Sequence, residues 1–152
     1  MDTLFAEAAL DFHPSHHSIG PAPDEIVLLY TVASGKVEGP RVHLSVVPNS
    51  GGEWDTVRGD GVIVLESRQV LRTPTDDLVY TTFSGVCDVG DDGYVDALDG
   101  TLLASAQAEL AIRFYTAAKD YRWLNRVQFV GLGQRDFRSH TLRLRIFRCD
   151  AR

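Results

Sequence analysis

Residues 62–72, Val-Ile-Val-Leu-Glu-Ser-Arg-Gln-Val-Leu-Arg, are the stretch that decides the fold class of this chain. Two sets of side chains alternate along it: Ile63, Leu65, Ser67, Gln69 and Leu71 against Val64, Glu66, Arg68, Val70 and Arg72. Because successive side chains of a β-strand point to opposite faces, this alternation predicts a strand. Turn-forming residues at 59–61 and 73–77 bound it on both sides.

Similar strand-like segments continue on both sides of residues 62–72, and turns rich in Gly, Pro, Asn and Asp separate them. Little helix is predicted, only about one turn at 94–98. Closing such a sheet removes its exposed edges, so the pattern predicts one antiparallel β-barrel of about eight strands over residues 1–152. The other predicted strands are 4–12, 25–33, 42–46, 54–57, 78–87, 108–116, 127–133 and 141–148, with a loop at 13–23 and a turn at 34–36.

The composition is that of a globular domain, with 44% apolar and 24% charged residues among 152. A net charge of −6 argues against nucleic-acid binding, and the arginine-rich run 135–152 is interpreted as the solvated face of a terminal strand. No segment is apolar enough for a membrane helix, and the acidic N-terminus is unlike a signal peptide. Two cysteines without CxxC spacing indicate a reducing compartment. We therefore expect a cytoplasmic protein and a possible homodimer.

Motifs for phosphate, dinucleotide, zinc-protease and serine-hydrolase chemistry are absent from the sequence. His13, His16 and His17 form a cluster that resembles a metal site. All three fall in one predicted loop, however, and their spacing does not place three imidazoles around a single ion. We therefore expect an exposed loop there, and no metal, nucleotide or other cofactor.

Charged residues stand on two segments that are otherwise apolar enough to be core. Glu66 and Arg68 share one face of their strand, and Arg41 and His43 share a face of theirs. The alternation alone favours an outward orientation, with ordinary solvated side chains. If the barrel encloses a ligand, as some eight-stranded barrels do, these residues point inward and meet in the lumen.

Aromatic and amide side chains are concentrated at 121–125, immediately before the predicted strand at 127–133. Tyr121, Trp123 and Asn125 could form a turn that closes one end of the barrel, or a rim that stacks on a ligand and hydrogen-bonds to it. Trp54 and Tyr80 are further aromatic candidates for the wall of a pocket. The sequence leaves both interpretations open.

Several short motifs, in order along nearly the whole chain, resemble domain-of-unknown-function family 3237, a group of small bacterial and fungal proteins. They are Gly35-x-Val37-x-Gly39-Pro40-Arg41, Gly51-Gly52-x-Trp54, Leu65-Glu66-x-Arg68-x-x-Leu71-Arg72-Thr73, Tyr80 with Gly85, Phe114-x-Thr116, Tyr121-x-Trp123-Leu124-Asn125 and Phe129-x-Gly131-x-Gly133. The resemblance implies a lipocalin-like or allene-oxide-cyclase-like barrel with an internal cavity, and it favours an inward orientation of Arg41, Glu66 and Arg68. Departures from the family pattern at Thr82, Phe83, residues 109–112 and Tyr115 imply a more apolar pocket.

The leading functional hypothesis is a cofactor-independent enzyme, a cyclase, isomerase or lyase, acting on a carbonyl-rich, polyketide-like substrate in the lumen. Burial would raise the pKa of Glu66 and nearby Arg would lower it, so Glu66 could be tuned into a general acid or base. Arg41 and Arg68 would then stabilise an enolate or oxyanion. Trp54, Tyr80, Tyr121, Trp123 and Asn125 are the predicted substrate-binding residues. The alternative is a lipocalin-like barrel that binds a small apolar ligand without chemistry.

Overall fold

The alternation of apolar and polar side chains gives nine β-strands within residues 3–149, the part of the chain that the computed structural model describes. About 63% of the residues are in strands, and the helices are a seven-residue α1 and an eight-residue 3₁₀ helix. The elements are β1 Leu4–Ile19, β2 Glu25–Gly39, β3 Val42–Val46, β4 Gly52–Arg58, β5 Val62–Arg72, β6 Leu78–Asp88, α1 Gly93–Asp99, β7 Ala106–Thr116, the 3₁₀ helix Lys119–Arg126, β8 Phe129–Asp136 and β9 Thr141–Arg148.

All strand pairs are antiparallel, and the sheet closes because β1 pairs with β2 on one side and with β9 on the other. The short strands β3 and β4 share one place in the sheet. β4 pairs with the first half of β2 and β3 with its second half, and both pair with β5. The nine strands therefore fill eight positions, and the predicted closed antiparallel barrel of about eight strands is confirmed.

The interior of the barrel is filled by one cluster of buried apolar side chains. In β7, for example, Ala108, Leu110, Ile112 and Phe114 all point inward, and the residues between them are exposed. The two helices lie at opposite ends. We call the end where β6 leads through α1 into β7 the α1 end, and the end where β7 leads through the 3₁₀ helix into β8 the 3₁₀ end.

Two predicted breaks in the first hairpin are wrong. Residues 13–23 were predicted as a loop, but β1 continues to Ile19 after a shift in register between Phe12 and His16. Residues 34–36 were predicted as a turn, but β2 continues to Gly39. Gly35 permits a close approach of two strands there, since a Cβ at that position would lie 2.5 Å from the backbone oxygen of Ala9. The three histidines of the predicted loop therefore lie on a strand, and all are exposed.

Candidate functional site

Glu66 and Arg68, the predicted catalytic pair, lie on the outer surface of β5, so their predicted inward orientation is wrong. The alternate side chains of β5, at every second position from Ile63 to Leu71, face the core. Ser67 and Gln69 are the two polar residues among them, and both are uncharged. The Ser67 hydroxyl donates a hydrogen bond to Gln69 Oε1 at 2.8 Å. A neutral hydrogen-bonded pair is far less costly to bury than two ions, which explains the choice of face.

Arg41, the third predicted catalytic residue, is also exposed and lies in the two-residue turn between β2 and β3. It does contact one predicted binding residue: its guanidinium carbon lies 4.0 Å from the ring centroid of Trp123. Trp123 and Tyr121 are half-buried on the 3₁₀ helix and pack against the core. These three residues therefore lie at the 3₁₀ end, outside the barrel interior.

Of the remaining predicted binding residues, Tyr80 and Asn125 line one pocket of about 350 Å³, and Trp54 is not among its lining residues. Trp54 and Tyr80 point outward, with 42% and 43% of their surfaces exposed. Asn125 connects the 3₁₀ helix to the end of β7: its Nδ2 donates to the Thr116 carbonyl, and its Oδ1 accepts from the Thr116 amide, both at 2.8 Å. Asn125 thus closes the barrel end, which is the structural alternative that the sequence left open.

A charged pair that the sequence did not predict lies inside the barrel near the α1 end. Arg135 of β8 and Glu53 of β4 both have fully buried side chains. Arg135 Nε donates to Glu53 Oε2 at 2.8 Å and to Oε1 at 3.1 Å, and Arg135 Nη2 lies 2.7 Å from Oε2. Since an isolated buried ion is strongly destabilising, this close geometry is what allows both charges to be buried.

Aromatic rings and backbone carbonyls hold Arg135 in place. Its guanidinium carbon lies 4.4 Å from the ring centroids of Phe12 and Phe137, and 4.8 Å from that of Tyr30. Nη1 donates to the carbonyl of Asp136 at 2.8 Å. Cation–π contacts are strongest where water is excluded, so these rings partly replace the lost hydration of the guanidinium.

A second carboxyl group, that of Asp55, lies two residues from Glu53 on the same inward face of β4. Asp55 is fully buried, and no amide, hydroxyl or guanidinium donor among residues 3–149 reaches its carboxyl oxygens. Burial raises the pKa of Asp55 well above its usual range, the charge of Glu53 raises it further, Arg135 opposes both effects, and a hydrogen bond with the Glu53 side chain adds to the rise. Asp55 is therefore a carboxylic acid that keeps its proton where an exposed aspartate would have lost it.

The neighbours of this cluster show the same dry environment. Burial raises the pKa of the Tyr30 phenol, Arg135 opposes this effect, and the carboxyl groups of Asp55 and Glu53 add to it. Burial, followed by the same two carboxyl groups, raises the pKa of the Cys87 thiol to about 12. Both groups are therefore uncharged at neutral pH.

A pocket of about 420 Å³ opens at the α1 end beside the buried cluster. Tyr30 belongs to both, because it lines the pocket and its ring packs against Arg135. The ring of His16 stacks on Tyr30 at 4.6 Å, and the centroid of His140 lies 6.2 Å from that of Tyr30. Burial lowers the pKa of His140, and the charges of Arg135 and His16 lower it further. The remaining pocket wall is mainly apolar and includes Leu28, Leu102 and Phe137.

The sequence contained a signal for this cluster. In β4, Glu53, Asp55 and Val57 alternate with Trp54 and Thr56, so the face that carries Val57 also carries both acids. Trp54, the largest apolar residue of β4, suggests that its own face points to the core, but that face is exposed. Arg135 was assigned to a solvated arginine-rich face, and that interpretation is wrong because Arg135 is fully buried.

Residues 3–149 contain neither a candidate membrane-spanning helix nor a cluster of side chains that could hold a metal ion. None of the helices there has the length and apolar character needed to cross a membrane. No group of three or more His, Cys, Asp or Glu side chains in this range is arranged to hold a metal ion. The cytoplasmic location and the homodimer stay predictions.

The sequence matches one family model, that of the protein of unknown function DUF3237, over residues 3–149. The chain belongs to this family. The resemblance of the short motifs is thereby confirmed across nearly the whole chain. No curated protein matches the sequence.

Solved structures similar to this DUF3237 member share its fold at low sequence identity. A protein of unknown function from Clostridium acetobutylicum is 20% identical with a TM-score of 0.81, over 97% of this chain and 98% of that one. A β-barrel-like protein from Acinetobacter baumannii is 18% identical with a TM-score of 0.78, over 95% and 92%. A protein from Penicillium herquei described as an enzyme is 19% identical with a TM-score of 0.68, also over 95% and 92%. These likenesses establish the barrel fold.

Proposed function

We propose that this DUF3237 protein is a cofactor-independent enzyme that catalyses proton transfer on a small carbonyl compound at the α1 end. One observation carries the proposal: the buried carboxyl of Asp55, whose pKa is raised, lies beside a buried Arg–Glu pair, and Tyr30 connects this cluster to a pocket that His140 also lines. Titratable groups with strongly shifted pKa values beside an apolar pocket are typical of active sites.

The side chains of the pocket can divide the proton transfers between them. The His140 imidazole, neutral because its pKa is lowered, accepts a proton from the carbon next to the substrate carbonyl. The Tyr30 hydroxyl donates its proton to the carbonyl oxygen, and Asp55 replaces that proton, so that an enol forms without a free phenolate. Tyr30 and His140 are the proposed catalytic residues. Asp55 acts through Tyr30 as a positioning residue and proton reserve.

Arg135 supplies positive charge where negative charge develops. As the proton leaves Asp55, the cluster gains a second carboxylate beside Glu53, and the buried guanidinium stabilises it. Its fixed orientation means that no solvent has to reorganise during the step. Arg135 therefore lowers the cost of moving the proton from Asp55, and the cycle closes when His140 gives up the proton that it accepted and Asp55 is protonated again.

Enol formation is the shared first step of several reactions, namely cyclisation, isomerisation and elimination next to a carbonyl. The pocket is lined mainly by apolar side chains and lies within the usual size range of small-molecule sites, about 300–1,000 Å³. A carbonyl-rich, polyketide-like substrate fits this chemistry. The description of the Penicillium relative as an enzyme supports the general class, although at 19% identity it does not transfer a reaction.

Proton exchange tests this chemistry before the natural substrate is known. The full chain is incubated in D₂O with simple aryl ketones, such as 1-tetralone and its hydroxylated analogues, and deuterium at the carbon next to the carbonyl is followed by NMR. We expect the protein to accelerate exchange over buffer, and Tyr30→Phe or Asp55→Asn to reduce the acceleration by roughly 10²–10⁴, the usual share of general acid–base catalysis. Glu66→Gln, a similar change on the outer surface, is the matched control and should leave the rate unchanged.

Three outcomes would contradict the proposal. If Glu66→Gln lowers the rate as much as Asp55→Asn, the buried cluster is not the source of the chemistry. If ketones bind at the α1 end without any accelerated exchange, the protein is a binding barrel rather than an enzyme. If none of the ketones binds or exchanges, the pocket does not receive this class of substrate.

A further inference from the structure

The 3₁₀ end carries a second pocket, of about 320 Å³, which the proposed enzymatic function does not use. Four structural elements form its wall. They are the start of β1, the turn between β2 and β3, the 3₁₀ helix and the last residue of β9. The lining residues are Thr3, Leu4, Phe5, Pro40, Arg41, Trp123 and Arg148.

Arg41 stacks on an aromatic ring at this pocket. Its guanidinium lies over the Trp123 ring at 4.0 Å, and Trp123 in turn packs edge-on against Phe5 at 5.8 Å. Phe5 is buried and reaches the core through Phe129, 4.5 Å away. A guanidinium stacked in this way keeps its N–H groups in the plane of the fork, free to bind a planar anion from the side.

The charges around the pocket favour an anion. Arg41 forms no ion pair with a carboxylate among residues 3–149. Among residues 3–149, none of the side chains that line the pocket is acidic. Arg41 is therefore a cation without a carboxylate partner in this range, in a chain whose net charge is −6.

The rest of the wall is apolar. Leu4, Phe5 and Pro40 form a surface beside Arg41 that suits a flat hydrophobic group. Arginine binds carboxylates bidentately. The apolar wall favours a ligand that carries a hydrophobic group next to its carboxylate. We propose that the 3₁₀ end is a second ligand site, which binds a small aromatic carboxylate with its acid group on Arg41 and its ring against Phe5.

This site is independent of the proposed enzymatic function. It lies at the opposite end of the barrel from Asp55 and Tyr30, and the packed core separates the two ends. Binding at the 3₁₀ end can therefore be measured whether or not the protein catalyses proton exchange.

A pair of probes that differ in charge tests the proposal on the full chain. 1-Naphthoate supplies an aromatic ring with a carboxylate, and 1-naphthalenemethanol supplies the same ring without charge. Binding is followed by NMR through the indole N–H signals of the two tryptophans. We expect 1-naphthoate to shift the Trp123 signal and to leave Trp54 unchanged, because Trp54 lies on the outer surface of β4.

Two arginine variants distinguish binding at Arg41 from a nonspecific effect of the total charge of the protein. Arg41→Gln should weaken 1-naphthoate binding at least about tenfold, because a charge-assisted bidentate contact is lost, and should leave the alcohol unaffected. Arg68→Gln removes the same charge from the outer surface of β5 and should leave both affinities unchanged. Equal binding of acid and alcohol, an equal loss in Arg68→Gln, or no shift of the Trp123 signal with 1-naphthoate would each overturn the proposal.

Discussion

Asp55→Asn is the substitution that tests the buried cluster most directly, through the pH dependence of stability. Asp55 is fully buried and its pKa is raised, so the folded chain keeps a proton that the unfolded chain releases above about pH 4. At lower pH both states hold the proton. As the pH rises above that value, the free energy of unfolding of the wild type falls by about 1.4 kcal/mol per pH unit from this group, until Asp55 also ionises in the folded state.

The asparagine side chain has almost the same shape and cannot ionise, so the variant lacks this contribution. The free energy of unfolding of Asp55→Asn minus that of the wild type should therefore increase by about 1.4 kcal/mol per pH unit across the affected range. Urea unfolding at a series of pH values from about 5 to 8 measures this difference. Its slope, unlike its absolute value, does not depend on how well the amide packs.

The exposed Glu66 provides the control for this experiment. Glu66→Gln removes a carboxylate from the neighbouring strand without touching the cluster, so its curve should run parallel to that of the wild type. If the Asp55→Asn curve is also parallel to the wild type, Asp55 is already ionised in the folded chain. The assignment of a proton reserve would then be wrong.

Three further predictions follow from buried groups and their partners. Glu53→Gln leaves the Arg135 charge without its partner and should lower the free energy of unfolding by about 3–5 kcal/mol, whereas the double change Glu53→Leu with Arg135→Met should recover most of that loss in urea unfolding. Asn125→Ala removes both side-chain bonds to Thr116 and should cost about 1–3 kcal/mol, measured in the same way. Cys87 should resist a thiol reagent at neutral pH in the folded chain and react only after unfolding, because its thiol is buried with a pKa of about 12.

The barrel could be predicted from the sequence because side-chain alternation is local. β5 was predicted with its observed bounds, Val62–Arg72, since both faces of that strand can be read from neighbouring residues. The first hairpin could not be predicted in the same way. Residues 13–19 are exposed and mostly polar, and residues 16–19 are extended because they pair with residues 27–30 of β2 across the hairpin. A segment that is extended because it pairs with another strand need not show the side-chain alternation that predicts a strand from the sequence.

The candidate site was harder to predict, because its charged side chains face the barrel interior and not the solvent. Charged residues face solvent in most strands, and Glu66 and Arg68 follow that tendency. Glu53 and Arg135 are exceptions that become stable only as a pair, and 82 residues separate them in sequence. No pattern within one strand reports a partner so far away. The geometry of the closed barrel was needed to bring them together.

The energetics of the cluster bear on why it is there. Apolar side chains of similar volume often stabilise a core as well as a buried ion pair does, or better. The Arg135–Glu53 pair therefore has no evident advantage in stability over an apolar pair, and Asp55 adds a further buried carboxyl whose hydrogen-bond partner is another carboxyl, that of Glu53. Three ionisable groups buried together are costly to desolvate, so the cluster calls for a specific explanation. Its connection to a pocket through Tyr30 is an observation that favours the proposed chemistry there.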